Sequence, residues 1–349
     1  MNELTTAKQN TDDLPVLTIS AYSAYIAYID RNERTTKAYL NALRSFAAWT
    51  IKNGIDRPTR EDIISYRHYL ETPHQSIRLD QKSGWTYRTD GHGRRITTTC
   101  SASTVAQYLR SVCQFFRWTS SAGIYPNVAQ DVRAPKVRAD IHKKDALEPA
   151  DVKVILRMLS DAIQSAKTPM QTEQAKRLYA IFLLTVTAGL RTIEISRANI
   201  KDMEVRNDRA YIYIFGKGHS EPDQRKPLAK KVYEAVQDYL QSRSDYPTPT
   251  SPLFVATGNR SGGRRIASTT ISTMIKQALQ AAGYNSTRIT AHSLRHTTGT
   301  TAQAVCGDLY TVQRYMRHVN PSTTEVYLHA STERQEAELA NQLCDLFIE

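Results

Sequence analysis

Apolar residues recur at three- and four-residue steps along most of this 349-residue chain, and that periodicity commits it to packed helices. In the first third, Ile19 to Ile29 makes one such stripe. Tyr39, Leu43, Phe46 and Trp49 make a second within Thr36–Lys52, before Gly54. Thr59, with Asp62 three residues on, predicts a reciprocal cap and a helix running to about Leu70. Val105, Leu109, Val112, Phe115 and Phe116 form the strongest stripe, from Ser103 to about Ser121, ending at Gly123. Four helices around one shared core follow from this. Between the third and fourth, residues 72–100 change to Gly, Thr and Arg. There Trp85–Arg88, a Thr-Asp-Gly-His-Gly turn and Arg94–Thr98 read as a β-hairpin.

The stretch from Ala134 to Ala146 holds Pro135, charges of both signs and little apolar content, as an interdomain linker does. Helices resume at Glu148-Pro149 and continue through Lys176 to Thr187, with a short one over Arg191–Arg197. Period two then takes over: Met203–Val205, an Asn207-Asp208 turn, Ala210–Phe215, a Gly216-Lys217-Gly218 turn and a strand near Arg225–Leu228. Helices are expected again at 230–242, 268–282, 292–305, 309–317, 322–328 and 332–347. The fold class expected is mainly α in two domains. A tail at 1–14 precedes a helical domain at 15–138 with its 72–100 insertion. A linker at 139–146 leads to an α-rich domain at 147–349 with a small antiparallel β-sheet.

The 46 basic and 34 acidic side chains leave a surplus of +12, and residues 1–140 (19 against 13) and 141–349 (27 against 21) each carry +6. A surplus spread over both halves points to two domains that face the same polyanion. The apolar run Tyr179–Leu190 is too short for the roughly 20 residues of a bilayer span, and MNELTTAKQNTDDLP lacks a signal-peptide core. No membrane partner is expected, and a cytoplasmic location is. Cys100, Cys113, Cys306 and Cys344 stand far apart with no C-x-x-C pair, so reduced core cysteines are expected.

Several residues of the second domain carry potential chemistry. Arg191 opens a short helix after a glycine break, with Glu194 one turn on to hold its guanidinium. Lys217 sits between glycines at a hairpin tip, where a long three-donor side chain can reach a neighbouring group. His292 and Arg295, one turn apart in Ala291-His-Ser-Leu-Arg-His, converge as a phosphate would require. His292 and His296 also have a zinc pair's spacing. No Glu follows the first, however, and Arg295 would set a positive charge beside the metal, so no metal and no other cofactor is expected. His318 and Tyr327 follow, separated by Pro321.

The ordered set Arg, Lys, His-x-x-Arg, His, Tyr resembles the tyrosine recombinase family, the phage integrase and Xer-like enzymes of DNA strand exchange. The resemblance runs from about Leu147 to the end, and the four-helix first domain with Ala134-Pro-Lys is similar to the family's core-binding domain. It implies a site-specific recombinase that cleaves and rejoins duplex DNA through a 3′-phosphotyrosyl intermediate without metal or ATP. Its work would be for a mobile element or in chromosome or plasmid resolution. In that reading Arg191, Lys217, His292, Arg295 and His318 surround the scissile phosphate, Tyr327 attacks it, and Glu194 supports the first arginine. The partners implied are double-stranded DNA with inverted-repeat core sites and three further copies of the chain, a homotetramer on two paired sites. Docking of the 332–347 helix, with its Leu339, Leu343, Leu346 and Phe347 stripe, would link them. Arg88, Arg94 and Arg95 of the insertion are expected to add DNA contacts. A type IB topoisomerase-like relaxing enzyme and a noncatalytic DNA-binding regulator on the same fold are the alternatives.

Overall fold

The computed structural model describes residues 14–29, 33–80, 82–136, 146–215, 221–257 and 263–317, together with Thr324. The chain divides into two compact units, Met1–Ala139 and Asp140–Glu349.

In the first unit the apolar stripes fold as their spacing dictates, into α1 (Ile19–Tyr28), α2 (Glu33–Lys52), α3 (Arg60–Glu71) and α4 (Ala102–Ser121). The Thr59 amide donates to Asp62 Oδ2 at 2.8 Å while Thr59 Oγ1 accepts from the Asp62 amide, so the expected capping box starts α3. Leu43, Phe46, Ile63, Tyr66, Leu70, Leu109, Val112, Phe115 and Phe116 are all buried and form one core. Its rings interlock: Tyr22 stacks on Phe115 with centroids 4.6 Å apart, and Phe46 meets Tyr66 and Phe116 edge-on.

The insertion departs from the single hairpin expected. Strand β2 (Ile77–Asp80) pairs antiparallel with β3 (Gly84–Tyr87), and β1 (His74–Gln75) pairs with β4 (Thr97–Thr98). Trp85–Tyr87 therefore takes its main partner from upstream rather than from Arg94–Thr98. Only the Thr89 to Arg95 bridge and the Asp90 turn survive from the expected hairpin. The cause lies in the Asp80–Gly84 turn, where Asp80 Oδ2 accepts from the Ser83 amide at 2.9 Å and from its hydroxyl at 2.7 Å. Ile77 and Leu79 then both face the core, a short period-two signal hidden among polar neighbours.

The second unit builds on α5 (Pro149–Gln164) and α6 (Pro169–Val186), the latter buried continuously from Ala180 to Val186. After α7 (Thr192–Arg197) and a 3₁₀ turn at Ile200–Asp202, strands β5 (Met203–Arg206), β6 (Arg209–Phe215) and β7 (Pro222–Leu228) form an antiparallel sheet in that order. Asn207 and Asp208 both take positive φ, as a two-residue hairpin turn requires. Helices α8 (Lys230–Gln241), α9 (Ser268–Ala281), α10 (Ala291–Cys306) and α11 (Leu309–Met316) complete the described part. Ile155, Ile181, Leu184, Ile212, Val236 and Leu294 are among the side chains filling its core. The expected helices at 322–328 and 332–347 lie outside the described residues, apart from helical Thr324. Among the described residues no helix is long and apolar enough to cross a membrane. The described cysteines are less buried than expected: Cys100 and Cys113 are half-buried and Cys306 is exposed, while Cys344 lies outside the described residues.

Candidate anion site of the second unit

Buried α6 ends in Thr187-Ala-Gly-Leu-Arg, and the break at Gly189 sets the site. Gly189 has φ +62°, and a Cβ there would lie 3.1 Å from Met316 Sδ and 3.3 Å from Thr298 Cγ2. Only glycine fits both the turn and the space. The turn delivers Arg191 as the residue that caps α7. Its amide donates to Glu194 Oε2 at 2.8 Å and its Nη1 to Glu194 Oε1 at 2.9 Å. Glu194 is buried while the Arg191 side chain is 43% exposed, so a fixed carboxylate aims a guanidinium that keeps open surface.

Helix α10 supplies the second arm. The Thr290 amide donates to Ser293 Oγ at 3.0 Å at its start, which places exposed His292 in the first turn and buried Arg295 one turn later. Arg295 donates through Nη1 to the Gly189 carbonyl and through Nη2 to the Met316 carbonyl. The arginine thereby ties the Arg191 turn to the end of α11.

Two residues that sequence reasoning passed over complete the cluster. Arg317, in the left-handed region at φ 55°, ends α11 and donates through Nη2 to Glu194 Oε2 at 2.8 Å. Among the described residues its buried Nε and Nη1 have no hydrogen-bond partner. Lys226 lies on β7, 1% exposed, with Nζ donating to the Tyr315 carbonyl at 2.5 Å. A signal for it was present: Lys226 is two residues from inward-facing Leu228, on the same strand face.

The electrostatics are lopsided. Arg191, Arg295, Arg317 and Lys226 gather around one carboxylate. Burial works against the charged form of Glu194, but Arg317, the Arg191 amide and the Arg191 guanidinium outweigh it and hold the carboxyl below its usual range. Burial, with Arg317 and Arg295, pushes Lys226 down to about 6 against the pull of Glu194. Such a cluster has a cation excess that an incoming anion neutralises, and bidentate guanidiniums match phosphate geometry.

Of the residues expected to act together, Arg191, Glu194 and Arg295 are joined through Gly189 and the Glu194 carboxylate, with His292 one turn from Arg295. Lys217, His318 and Tyr327 lie outside the described residues. In the first unit, Arg88, Arg94 and Arg95 are exposed. Arg88 lines a groove of about 940 Å³ together with Arg44, His74, Arg78 and Tyr108. Arg95 instead lies against Tyr87, its guanidinium carbon 4.0 Å from the ring centroid.

Residues 151–334 match the phage integrase family. The chain is 31% identical over 250 residues to tyrosine recombinase XerC of Vibrio vulnificus strain YJ016, covering 71% of this chain and 72% of the relative. To tyrosine recombinase XerD of Brucella melitensis biotype 1 it is 28% identical over 251 residues, covering 70% and 79%. Among solved structures, the fold is similar to XerH site-specific recombinase bound to palindromic difH substrate. The TM-score is 0.63 at 19% identity, over 87% of this chain and 79% of that one. It is also similar to a lambda integrase dimer bound to a COC′ core site, with TM-score 0.60 at 16% identity over 94% and 81%.

Proposed function

Because the chain belongs to the phage integrase family and is a tyrosine recombinase, we propose that it acts on duplex DNA as a site-specific recombinase, cutting and rejoining strands through a 3′-phosphotyrosyl intermediate. The observation that supports this reading is the Arg191–Glu194–Arg295 arrangement, in which the Gly189 turn joins the Arg191–Glu194 pair of α7 to Arg295 on α10, the helix that also bears His292. Attack on a phosphodiester builds charge on two nonbridging oxygens, and two guanidiniums with a histidine donor stabilise it in the transition state. Tyr327 supplies the oxygen that bonds to phosphorus and yields its proton to His292, while His318 adds a further donor to the phosphate. As the bond from phosphorus to the 5′-oxygen breaks, Lys217 delivers a proton to that oxygen. The tyrosine ester keeps the energy of the phosphodiester, so a 5′-hydroxyl from a second strand reverses the step with no need for ATP.

The test is a nicked duplex bearing the chain's own site, recovered by selection from a random library, whose short 5′ fragment diffuses away after cleavage. Wild-type protein should accumulate a covalent protein–DNA adduct linked through tyrosine. Relaxation of supercoils without exchange between two sites would favour the topoisomerase-like alternative. The same trapped complexes report assembly: we expect four protomers on two inverted-repeat sites, and complexes that never exceed one protomer per DNA would remove the tetramer from the scheme.

The insertion is proposed as an added DNA contact through Arg88, Arg94 and Arg95. Deleting it would uncover the core that Ile77 enters, so side-chain truncation is the cleaner probe. Changing all three to alanine should weaken site binding roughly tenfold and flatten its salt dependence by up to about 0.9 per lost phosphate contact. An unchanged affinity, slope and footprint would assign the insertion another role.

A further inference from the structure

Lys226 is a buried titratable group to which the reaction scheme gives no task. Its Nζ donates to the Tyr315 carbonyl at 2.5 Å and lies 2.9 Å from the Tyr315 ring centroid. Among the described residues, the charged groups that act on it are Arg317 at the end of α11, Arg295 on α10 and Glu194 on α7. Arg191 holds Glu194 Oε1 through its guanidinium and Oε2 through its amide, and Arg317 shares Oε2. The Tyr315 hydroxyl donates to the Thr187 carbonyl at 2.7 Å, and burial keeps it a neutral phenol.

Three successive residues at the end of α11 are thus each gripped from a different element. Tyr315 is held by Lys226 on β7, Met316 by Arg295 on α10, and Arg317 by Glu194 on α7. The next residue in the chain is His318. Lys226 differs from the other two grips in that its charge can change. With its pKa at about 6 it is mostly an amine at neutral pH, still able to donate one N–H. An anion beside Arg295 and Arg191 favours the ammonium instead. A charge-assisted bond to a carbonyl is shorter and roughly twice as strong as a neutral one.

We propose that Lys226 is a positioning residue for cleavage: when the scissile phosphate enters beside Arg295, the Lys226 amine tightens its hold on the Tyr315 carbonyl and fixes the turn that leads into His318. The inference rests on the recombinase reading above.

Lys226→Met and Lys226→Arg, made in the full chain and compared with wild type on the nicked duplex, test it. K226M should melt within a few degrees of wild type and bind the site within about threefold, yet form adduct roughly 10- to 100-fold more slowly, the cost of a misplaced catalytic group. K226R should recover part of that loss. Calorimetry of site binding in two buffers of different ionisation heat, at neutral pH, counts protons taken up. Wild type should take up more than either variant, since methionine cannot gain a proton and arginine never releases one. Wild-type cleavage by K226M overturns the proposal. So does equal proton uptake by all three proteins, which would leave Lys226 a packing residue. Should K226M fail to fold, the uptake of K226R against wild type decides alone. A wild-type protein that forms no adduct on its selected site would instead overturn the recombinase reading.

Discussion

Tyr327→Phe should bind its DNA site as wild type does and form no covalent adduct at all. The substitution removes one oxygen, the atom proposed to bond to phosphorus, and leaves ring, size and charge unchanged. Site affinity rests on cations meeting phosphates, a term that a neutral hydroxyl barely enters. Chemistry, in the proposed scheme, rests wholly on that hydroxyl. A free phenol ionises near pH 10, and in the proposed scheme the cation excess around Glu194 makes a phenolate or a developing one tolerable at neutral pH. The expected result is therefore complete loss in the nicked-duplex assay, with unchanged gel-shift affinity and melting temperature. Adduct formation by the phenylalanine variant would show that another residue is the nucleophile.

Arg295→Ala should be nearly as damaging, for two reasons that separate experimentally. In its proposed role as a phosphate ligand, a lost preorganised donor costs about 10²–10³ in rate, and a bidentate one more. As a buried group, 3% exposed, Arg295 satisfies the Gly189 and Met316 carbonyls, and each one left without a donor costs about 1–3 kcal/mol. The variant should thus cleave at least about 10³-fold more slowly and also melt well below wild type. Arg191→Ala is the control. Its side chain is 43% exposed and Glu194 keeps Arg317, so cleavage should fall with little change in melting. Adduct formation by the Arg295 variant within tenfold of wild type would remove this arginine from the phosphate site.

The elements that local rules govern were readable in the chain. The Thr59–Asp62 box, the α4 stripe and the Asn207-Asp208 turn each depend on residues a few positions apart, and each forms as read. Arg191 with Glu194 is equally local, three residues on one helix turn. What the sequence concealed depends on distant partners. Lys226 shares the inward strand face with Leu228, but the carbonyl it serves lies 89 residues downstream, which nothing local announces. Arg317 reads as an ordinary helix end until the chain brings Glu194 back to it across 123 residues. The insertion departs from a single hairpin for a related reason: Asp80 and Ser83 fix the turn through side-chain bonds, and alternation over only four residues is a brief signal.

The aromatic core of the first unit has an optical consequence. The chain has three tryptophans, Trp49, Trp85 and Trp118, and all of them lie in Met1–Ala139. Trp49 packs beside Phe46 and Tyr66, Trp118 beside Tyr25 and Phe115, and Trp85 stands against Tyr87 with the Lys52 ammonium 5.4 Å from its ring. Light at the red edge of the absorption band excites indole and spares tyrosine, so its emission comes from the first unit alone. The intact, unlabelled protein is therefore a one-sided fluorophore: indole emission tracks the unit that holds the insertion, while far-ultraviolet dichroism follows both units. The difference between the two signals isolates the unit that holds Arg191 and Arg295.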